Sequence, residues 1–586
     1  MSKWNLSVFY PSDEAWAKDF ELLKKEIAKI ADFKGKLGDF ETFKKYHELD
    51  EEISKTLFKV YSYAHLGSDL NLKDTDKLSR SQQVNLLLSD WSQVASFVSP
   101  EIIGLGEEKV YAFLAKDESL KPHLFNYQKL FRGQTHILDA DKEKLLANFG
   151  PTRSVPTALY QSLSTIDRKD EKITLSTGEE VVVSQAQFRA LLENSTNAQD
   201  RELIFKTLYK KYVENKSAFA ATYNLVLQQL AANAKSRNYE STLEAALFHN
   251  NIPQSVYLNL KDAAYENTAP LKRYIEIRKK ALGLDAYHTY DRFLPLAKSD
   301  KKYPYEQAKE LFIKSIQSFP EEFKKAQLEA IEDGFVDAYP QDGKRTGAYS
   351  SGFYGQHPFI LLNHNDTLDS VFTLAHEAGH SAHTIFSNGA QPMPIADYTI
   401  FVAEIASTFN EHALLDYLVQ NASTKQEKIE LLTMAIDNIH STFYRQVLFA
   451  TYEFEANKLV AEGNPISEQN LSKIMIDLYQ HYYGLDITKE PGKQYVWAYI
   501  PHLFHTPFYV YQYATSFAAS LKIYDSVKSN VPGAFDNYVK MLKSGGSMYP
   551  VDQAKMAGAD LTNKDTFLAV VKRLDALLDQ LEEALK

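Results

Sequence analysis

The segment LAHEAGHSAHTIF, residues 374–386, brings together side chains that could bind a metal ion. On a helix, residues four apart are separated by about 40° in projection and about 6 Å along the axis, so His376 and His380 can turn their imidazoles toward one ion. Glu377 follows the first histidine and completes the HExxH pattern, in which the histidines bind zinc and the glutamate acts as a general base. The chain contains no cysteine, so its metal ligands must be His, Asp or Glu. We therefore expect a zinc site on this segment.

A second apolar segment downstream carries the candidates for a third ligand. The stretch ADYTIFVAEIASTFNEHALLDYL, residues 396–418, predicts a helix with Glu404 and Glu411 on one face. A glutamate on an apolar helix needs a partner, and a zinc ion already held by two histidines is a suitable one. We expect His376, His380 and Glu404 to bind one Zn²⁺ per chain and to leave an open position for water. Glu411 is expected to accept a hydrogen bond from a ligand histidine and to fix its orientation.

Three other histidines near the motif are candidates for less direct roles. His383 falls on the ligand face of the helix, but a buried or hydrogen-bonded histidine is the simpler interpretation. His357 and His364 precede the helix and are interpreted as hydrogen-bonded loop residues, with substrate contact as the alternative. The metzincin arrangement needs glycine at 383 and histidine at 386, and it is excluded because the chain has His383 and Phe386.

The elements that must position these residues are mostly helices. Apolar residues recur at steps of three and four near both ends of the chain, which is the pattern of amphipathic helices packed on a core. The stretch KITLSTGEEVVVS, residues 172–184, has two β-favouring runs around Gly178 and predicts a hairpin. The stretch RTGAYSSGFYGQHPFILLN, residues 345–363, predicts a mobile glycine loop that leads into a short strand, either buried or at the edge of a sheet. We expect a mainly α fold with a small β-sheet beside the metal-binding helix.

The length, composition and charge of the chain limit the remaining possibilities. With 586 residues, 44% of them hydrophobic and 24% charged, the chain has the composition of a globular protein. We place a boundary near residue 195, which gives an N-terminal helical lobe at 1–195 and a catalytic domain at 196–586. The net charge of −11 argues against a nucleic-acid partner, and no apolar run approaches the roughly 18 residues of a membrane span. We expect a soluble cytoplasmic protein, whose oligomeric state the sequence does not indicate.

Several segments together resemble the thimet oligopeptidase family of zinc metallopeptidases, and most closely its oligoendopeptidase F branch. The pair TLAHEAGHSAH and AEIASTFNE carries the strongest likeness. The stretches HLFHTPFYVYQYATS, residues 502–516, and LKSGGSMYPVDQAKMAGADL, residues 542–561, agree with the same branch. The resemblance extends from about residue 110 to the end of the chain, and before that point only a helical texture is shared.

This resemblance implies a fold and an activity. The family has a zincin-type, mostly helical ellipsoid, in which two lobes surround a deep channel with zinc at its floor, and it cleaves internal bonds of short peptides. By motif position, His376, His380 and Glu404 correspond to the family's zinc ligands, and Glu377 corresponds to its general base. Short peptides are therefore the expected substrates.

The resemblance also implies a transition-state clamp in the tyrosine-rich segment, where a histidine and a tyrosine approach the scissile carbonyl. We favour His502 and Tyr511 for these roles; the alternatives are His505, Tyr509 and Tyr513. In the expected mechanism, Glu377 removes a proton from a zinc-bound water and delivers it to the leaving amine, while a phenol hydroxyl stabilises the oxyanion. The run at 358–362 is expected to bind the peptide backbone by strand addition.

Two other functions remain open at this stage. A zinc exopeptidase, either a dipeptidyl carboxypeptidase or an aminopeptidase, would need a charged group that captures a peptide terminus, and the sequence does not locate one. A catalytically inactive helical scaffold with structural zinc is disfavoured, because structural zinc sites normally have four protein ligands.

Overall fold

Helices form most of the chain in the computed structural model, which describes residues 3–297 and 301–586. The mainly α prediction is therefore confirmed. None of the described helices combines the length and the apolarity that are needed to cross a lipid bilayer.

The helix bounds follow in chain order. Before residue 195 the α-helices are α1 (Asp13–Ala28), α2 (Phe40–Leu70), α3 (Thr75–Val94), α4 (Val98–Leu105), α5 (Glu107–Lys116), α6 (Leu124–Gly133), α7 (Ala140–Asn148), α8 (Val155–Gln161) and α9 (Phe188–Asn194). The next are α10 (Ala198–Glu214), α11 (Lys216–Ser236), α12 (Thr242–Phe248), α13 (Gln254–Glu266), α14 (Ala269–Ala281), α15 (Tyr305–Ser315), α16 (Glu321–Ala330), α17 (Leu368–Ala390) and α18 (Ile400–Gln420). The last are α19 (Lys425–Ile439), α20 (Arg445–Ala461), α21 (Glu468–Tyr483), α22 (Val496–Tyr499), α23 (His502–His505), α24 (Tyr511–Lys528), α25 (Ala534–Lys543), α26 (Pro550–Met556) and α27 (Lys564–Leu585).

The terminal helices form for the reasons that their sequences indicate. Ser12 caps α1 by accepting a hydrogen bond from the Ala15 amide, and the apolar stripe of α1 from Trp16 to Ile27 is buried. The stripe of α27 from Phe567 to Leu581 is buried in the same way. Both predicted stripes therefore face a core.

The predicted hairpin is confirmed. Strand β1 (Glu171–Thr174) pairs antiparallel with β2 (Glu180–Val183), with Glu171 opposite Val183. Gly178 lies in the connecting turn at φ +84°, a left-handed conformation that favours glycine.

A second sheet has three short strands and lies before α17 in sequence. Its order is β3 (Val336–Asp337), β5 (Phe359–Leu361), β4 (Tyr349–Ser351), so that β5 is central, parallel to β3 and antiparallel to β4. The strand predicted at 358–362 is therefore present, but the prediction that it pairs with a peptide is wrong, because both of its edges are already paired. The outer strands of this sheet are β3 and β4, and each has one edge that no other described strand of the sheet pairs with.

Residues at the start of the chain hold this sheet in place. The indole nitrogen of Trp4 donates to the carbonyl of Ile360 at 2.8 Å and to that of Phe335 at 3.1 Å. Phe359 and Leu361 are buried in one hydrophobic core with residues of the N-terminal helices. The N-terminal helices are thus part of the structure that supports the sheet.

The chain folds into two compact units, each assembled from three segments. Unit 1 comprises Met1–Thr135, Lys301–Leu418 and Ile523–Asp560, and unit 2 comprises His136–Asp300, Val419–Lys522 and Leu561–Lys586. The boundary proposed near residue 195 falls inside unit 2, so the compact units are not contiguous halves of the sequence. As a division into domains, 1–195 and 196–586 stays a prediction.

Candidate metal centre

The HExxH segment lies in the long helix α17, whose start follows the rule for capped helices. The Thr367 side chain accepts a hydrogen bond from the Ser370 amide and so caps the first turn. The apolar side of the helix, which includes Val371 and Leu374, is fully buried. The buried side fixes the rotation of α17 about its axis and therefore the direction of its histidines.

The next helix, α18, packs against α17 at unusually close range. Gly379 lies inside the HExxH motif, and a Cβ atom built on it would lie 2.6 Å from the backbone oxygen of Ala406 and 2.6 Å from the Cα of Ser407. Asn410 is fully buried and donates to the carbonyl of Ala375 at 3.0 Å, which ties the two helices together. Glycine at 379 thus lets the backbone of α18 reach the metal-binding turn.

This packing brings the three predicted ligands together. The Nε2 atoms of His376 and His380 are 3.2 Å apart, and Glu404 Oε2 lies 3.3 Å from the former and 3.7 Å from the latter. Donors bound tetrahedrally at about 2.0–2.1 Å from one Zn²⁺ lie about 3.3 Å from each other. Among the described residues, these three form a group whose donor atoms are close enough together to hold one metal ion.

Each ligand has an outer partner that fixes its orientation. Glu411 Oε1 accepts from the Nδ1 of His376 at 2.5 Å, which is the contact expected for Glu411. The ring of His380 donates to the backbone carbonyl of Ala403, and the Ser407 hydroxyl donates to Glu404 Oε2 at 3.0 Å. A histidine held through Nδ1 presents its Nε2 to a metal.

Charges in the group favour a bound cation. Burial opposes protonation of His376, but its hydrogen bonds with Glu404 and Glu411 hold its pKa well above the usual value. Burial likewise opposes ionisation of Glu404, but the hydrogen bond from His376 and the charge of His380 lower its pKa to about 2. Burial and the neighbouring His376 lower the pKa of His380 to about 4. The group therefore offers an ionised carboxylate and a neutral imidazole, and a metal binding at His376 displaces a proton.

Glu377 lies beside this group and contacts the sheet. It is 6% exposed, and burial raises its pKa to about 7, against the opposing effect of the neighbouring His376. The backbone N–H of Ser350, in β4, donates to its carboxylate, and the Ser350 hydroxyl lies 2.8 Å from that of Ser381 on α17. Strand β4 and the carboxylate of Glu377 are therefore neighbours.

The other histidines near the motif have structural surroundings. His383 is fully buried, and its ring stacks on Tyr398 at a centroid distance of 3.6 Å. His357 contacts the carbonyls of Pro358 and Glu329, at 2.7 and 3.1 Å. His364 donates from Nε2 to the Tyr303 carbonyl at 2.7 Å. These arrangements agree with the simpler interpretation of all three histidines.

The tyrosine-rich segment, residues 502–516, lies in unit 2, and its aromatic residues occupy two different environments. Tyr511 is 2% exposed and packs on Tyr257 at a centroid distance of 5.1 Å, and burial raises the pKa of its phenol. His502, Tyr509 and Tyr513 are half-buried and form an aromatic cluster in which the ring centroids are 5.3–6.1 Å apart. His505 contacts Tyr160.

Glu453, which was not predicted from the sequence, holds this segment in place. Phe508 has a positive φ of +57°, and its backbone N–H donates to Glu453 Oε1 at 2.8 Å. Glu453 is 2% exposed, and burial raises its pKa to about 8. A neutral buried glutamate on α20 thus fixes the strained turn before Tyr509. The signal in the sequence is weak, because a single glutamate in a helix is usually exposed.

The packing role of Gly379 was also not predicted from the sequence. Glycine inside a helix costs about 1 kcal/mol relative to alanine, so a glycine at such a position often has a packing reason. We expect Gly379→Ala to push α18 away from α17 and to weaken metal binding by about 10- to 100-fold, as loss of a ligand's outer partner does. Competition with a chelator measures this change. Gly389→Ala is the matched control, since it lies on the same helix and its Cβ would meet nothing within 4 Å. Unchanged metal affinity in Gly379→Ala would contradict the role of this contact.

Two family models match the sequence. The model described as Peptidase family M3 matches residues 191–573, and the one described as Oligopeptidase F matches residues 101–169. The first alone spans more than half of the chain and includes every residue of the metal centre.

Individual relatives and solved structures agree with these matches. The chain is 34% identical to "Oligopeptidase PepF" of Bacillus subtilis, over 99% of this chain and 87% of the relative. It is 34% identical to the "Oligoendopeptidase F homolog" of Borreliella burgdorferi, over 99% and 98% of the two chains. The crystal structure of oligoendopeptidase-F from Enterococcus faecium has a TM-score of 0.75 at 29% identity, covering 98% of this chain and 99% of that one. A crystal structure from Chlamydophila abortus gives 0.92 at 32% identity, with 99% and 98% covered. The similarity thus includes the first 110 residues, where only helical texture was expected.

Proposed function

The chain belongs to peptidase family M3 and is a metallopeptidase of the oligopeptidase F type, and from this membership we propose that it is a zinc endopeptidase for short, unstructured oligopeptides. The observation that carries the proposal is the convergence of His376, His380 and Glu404 beside Glu377. Peptides are the substrates that the family implies. The finer points, namely zinc, the general base and cleavage of internal bonds, are proposals.

Zinc is the metal that we propose for the centre. Two imidazole nitrogens and one carboxylate oxygen, with no thiolate in the chain, are the donor set of catalytic zinc sites that keep a position for water. The spacing of the three donor atoms supports tetrahedral coordination. When bound, Zn²⁺ supplies Lewis-acid chemistry, lowering the pKa of water and polarising a carbonyl.

Glu377 is proposed to move the proton in the reaction. Its carboxylate takes a proton from the attacking water and gives it to the leaving amine, which requires a pKa near the working pH. Burial supports this role, because it raises the pKa of Glu377 to about 7. The N–H of Ser350 holds the carboxylate in one orientation.

Strand β4 is proposed to bind the substrate backbone in place of β5. It is one of the two outer strands of its sheet in the described chain, and it contacts Glu377 through Ser350. A peptide that added to its free edge would be extended and would lie beside the general base. Main-chain pairing of this kind tolerates many side chains and disfavours folded substrates, since a folded domain must first unfold at a cost of roughly 5–15 kcal/mol.

The donor that stabilises the oxyanion is proposed to come from the cluster of His502, Tyr509 and Tyr513. An oxyanion donor must be accessible to substrate. Tyr511, the tyrosine favoured from the sequence, is buried against Tyr257, and this burial argues against it as the donor. His502 keeps its proposed role as a polar partner of the substrate, since it shares the half-buried cluster.

We expect Tyr509→Phe or Tyr513→Phe to lower kcat by about 10²-fold or more, because one hydroxyl donor to the oxyanion is worth that much. Tyr511→Phe is the matched control and should leave kcat near the wild-type value. Steady-state kinetics on one short peptide compare the three variants. A large loss in Tyr511→Phe with the other two silent would return the role to Tyr511.

A peptide library tests the proposed function directly. The zinc-loaded protein is incubated with mixed unstructured peptides of about ten residues, and mass spectrometry locates the cleaved bonds. We expect internal cleavage, and the same sequence embedded in a stable folded domain should resist it. Release of fixed lengths from one terminus would instead identify an exopeptidase. Stoichiometric zinc without any hydrolysis would identify an inactive scaffold.

A further inference from the structure

Unit 2 contains a semi-enclosed cavity of about 280 Å³ that the proposed peptidase mechanism does not use. Its lining comes from α9, α10, α14, α19, α20 and α21 and from the segments near residues 290 and 493, all within unit 2. Tyrosine and phenylalanine rings form nearly half of the wall; they include Tyr209, Tyr274, Tyr479, Tyr483 and Phe293. A concave, mostly apolar wall with a few polar groups is the usual form of a small-molecule site.

Three basic side chains line this aromatic cavity, and among the described residues none of them forms an ion pair. In the described part of the chain, Arg292 and Arg445 form neither an ion pair nor a side-chain hydrogen bond, and they only lie over Phe293 and Phe449, at 4.7 and 5.3 Å. Lys493 is 8% exposed, and its contacts are the Tyr209 hydroxyl at 3.4 Å and nearby aromatic rings. Charges held away from water are costly unless they are paired.

The nearby carboxylates are already engaged by other groups. Both oxygens of Glu490 accept hydrogen bonds from Thr289, through its amide and its hydroxyl. Asp437 accepts from the Tyr274 hydroxyl at 2.9 Å. The cavity wall therefore carries an excess of positive charge.

Two buried arginines of unit 2, Arg201 and Arg278, have protein partners for their guanidinium groups. Arg201 forms an ion pair with Asp291 at 2.8 Å and donates to two backbone carbonyls. Arg278 donates to the carbonyls of Asp291, Arg292 and Leu294. Arg292 and Arg445 differ from these two arginines in forming no such contact among the described residues.

A helical irregularity places polar groups at the same wall. Between α19 and α20 the chain forms a π-helical segment, His440–Tyr444, and such segments frequently occur at functional sites. His440 faces the cavity, and Arg445 follows the segment directly. Burial, together with the charges of Arg292, Arg445, Arg278 and Lys493, holds the pKa of His440 well below its usual value, so the ring is a neutral hydrogen-bonding group.

We propose that this cavity binds a small organic phosphate, with its phosphate group held by Arg292, Arg445 and Lys493 and a planar ring packed among the tyrosines. Phosphate fits better than a single carboxylate, because it carries up to two charges against two arginines and a lysine and accepts forked hydrogen bonds from arginine. The tyrosine and phenylalanine rings provide the stacking surface for the planar part.

Calorimetric titration of the zinc-loaded full chain tests the proposal, with phenyl phosphate, inorganic phosphate and benzyl alcohol as separate probes. Phenyl phosphate should bind at least about 10-fold more tightly than either of the others, because only it has both parts. Arg445→Gln and Arg292→Gln should each weaken its binding by about 10- to 100-fold. Binding is measured without peptide turnover, so the result is independent of the proposed peptidase function.

Arg273→Gln is the matched control. Arg273 lies in the same unit but forms ion pairs with Asp579 and Glu582, each at 2.6 Å, and its loss should not change phenyl phosphate affinity. Thermal melting of the ligand-free variants separates folding from binding: removal of an unpaired arginine should not lower Tm.

Equal phenyl phosphate affinity in the wild type and in both cavity variants would overturn the proposal and would place the ligand at the metal centre or on the surface. Equal affinity for phenyl phosphate and inorganic phosphate would overturn the assignment of a ring-bearing ligand.

Discussion

Replacing Glu377 by glutamine is expected to leave metal binding intact and to lower kcat by about 10²- to 10⁴-fold, the range that general acid–base catalysis contributes. The amide is nearly isosteric with the carboxylate, and the donor atoms of His376, His380 and Glu404 are untouched. It cannot accept the proton of the attacking water or pass one to the leaving amine. The loss should therefore appear in kcat, with metal content near one ion per chain.

Three measurements decide this prediction: metal content by elemental analysis, kcat and KM on a short peptide, and the melting temperature. Asp369→Asn is the matched control, because Asp369 is an exposed carboxylate in the first turn of the same helix. It should behave as the wild type in all three measurements. Near-normal kcat in Glu377→Gln would rule out Glu377 as the base.

The second large effect concerns the metal itself. Glu404→Ala should remove most of the bound metal, because it takes away one of three protein donors and leaves two histidines to hold the ion alone. Its activity should fall with its metal content. The loss of metal affinity should exceed the loss of about 10- to 100-fold that is expected when a residue that only orients a ligand is removed.

Glu411→Ala is the informative comparison for Glu404, since both glutamates lie on one face of α18 and both contact His376. Glu411 reaches the Nδ1 side of the ring, so its removal loosens the histidine without removing a donor. We expect a loss of metal affinity of about 10- to 100-fold in this variant. If Glu411→Ala releases the metal and Glu404→Ala retains it, the assignment of the third ligand is wrong.

The metal centre was predictable because each of its parts depends on local spacing. His376 and His380 share a face through the helical period alone, and Glu404 and Glu411 do so on the next helix. Thr367 caps the first of these helices as its position suggested. The hairpin at 172–184 was predictable for the same reason, because a turn around Gly178 links two β-favouring runs.

The choice among the tyrosines proposed as phenol donors was not predictable in this way. Tyr509, Tyr511 and Tyr513 alternate along a segment in which helix α24 begins only at Tyr511, so no single period relates them. Which ring is buried depends on what packs there from elsewhere in unit 2, and Tyr257 covers Tyr511. Burial of this kind is a property of distant partners.

The sequence by itself therefore determined the helical class, the two helices of the candidate metal centre, the three residues that come together there and the family resemblance. Only the tertiary structure decided that β5 is central and β4 is an outer strand, that Gly379 lets α18 approach α17, and that Arg292 and Arg445 line the unit 2 cavity without an ion pair among the described residues. The physical reason is the range of the interactions. Helical periodicity and capping act over a few residues, whereas strand order, close backbone contact and charge pairing depend on segments that are far apart in the chain.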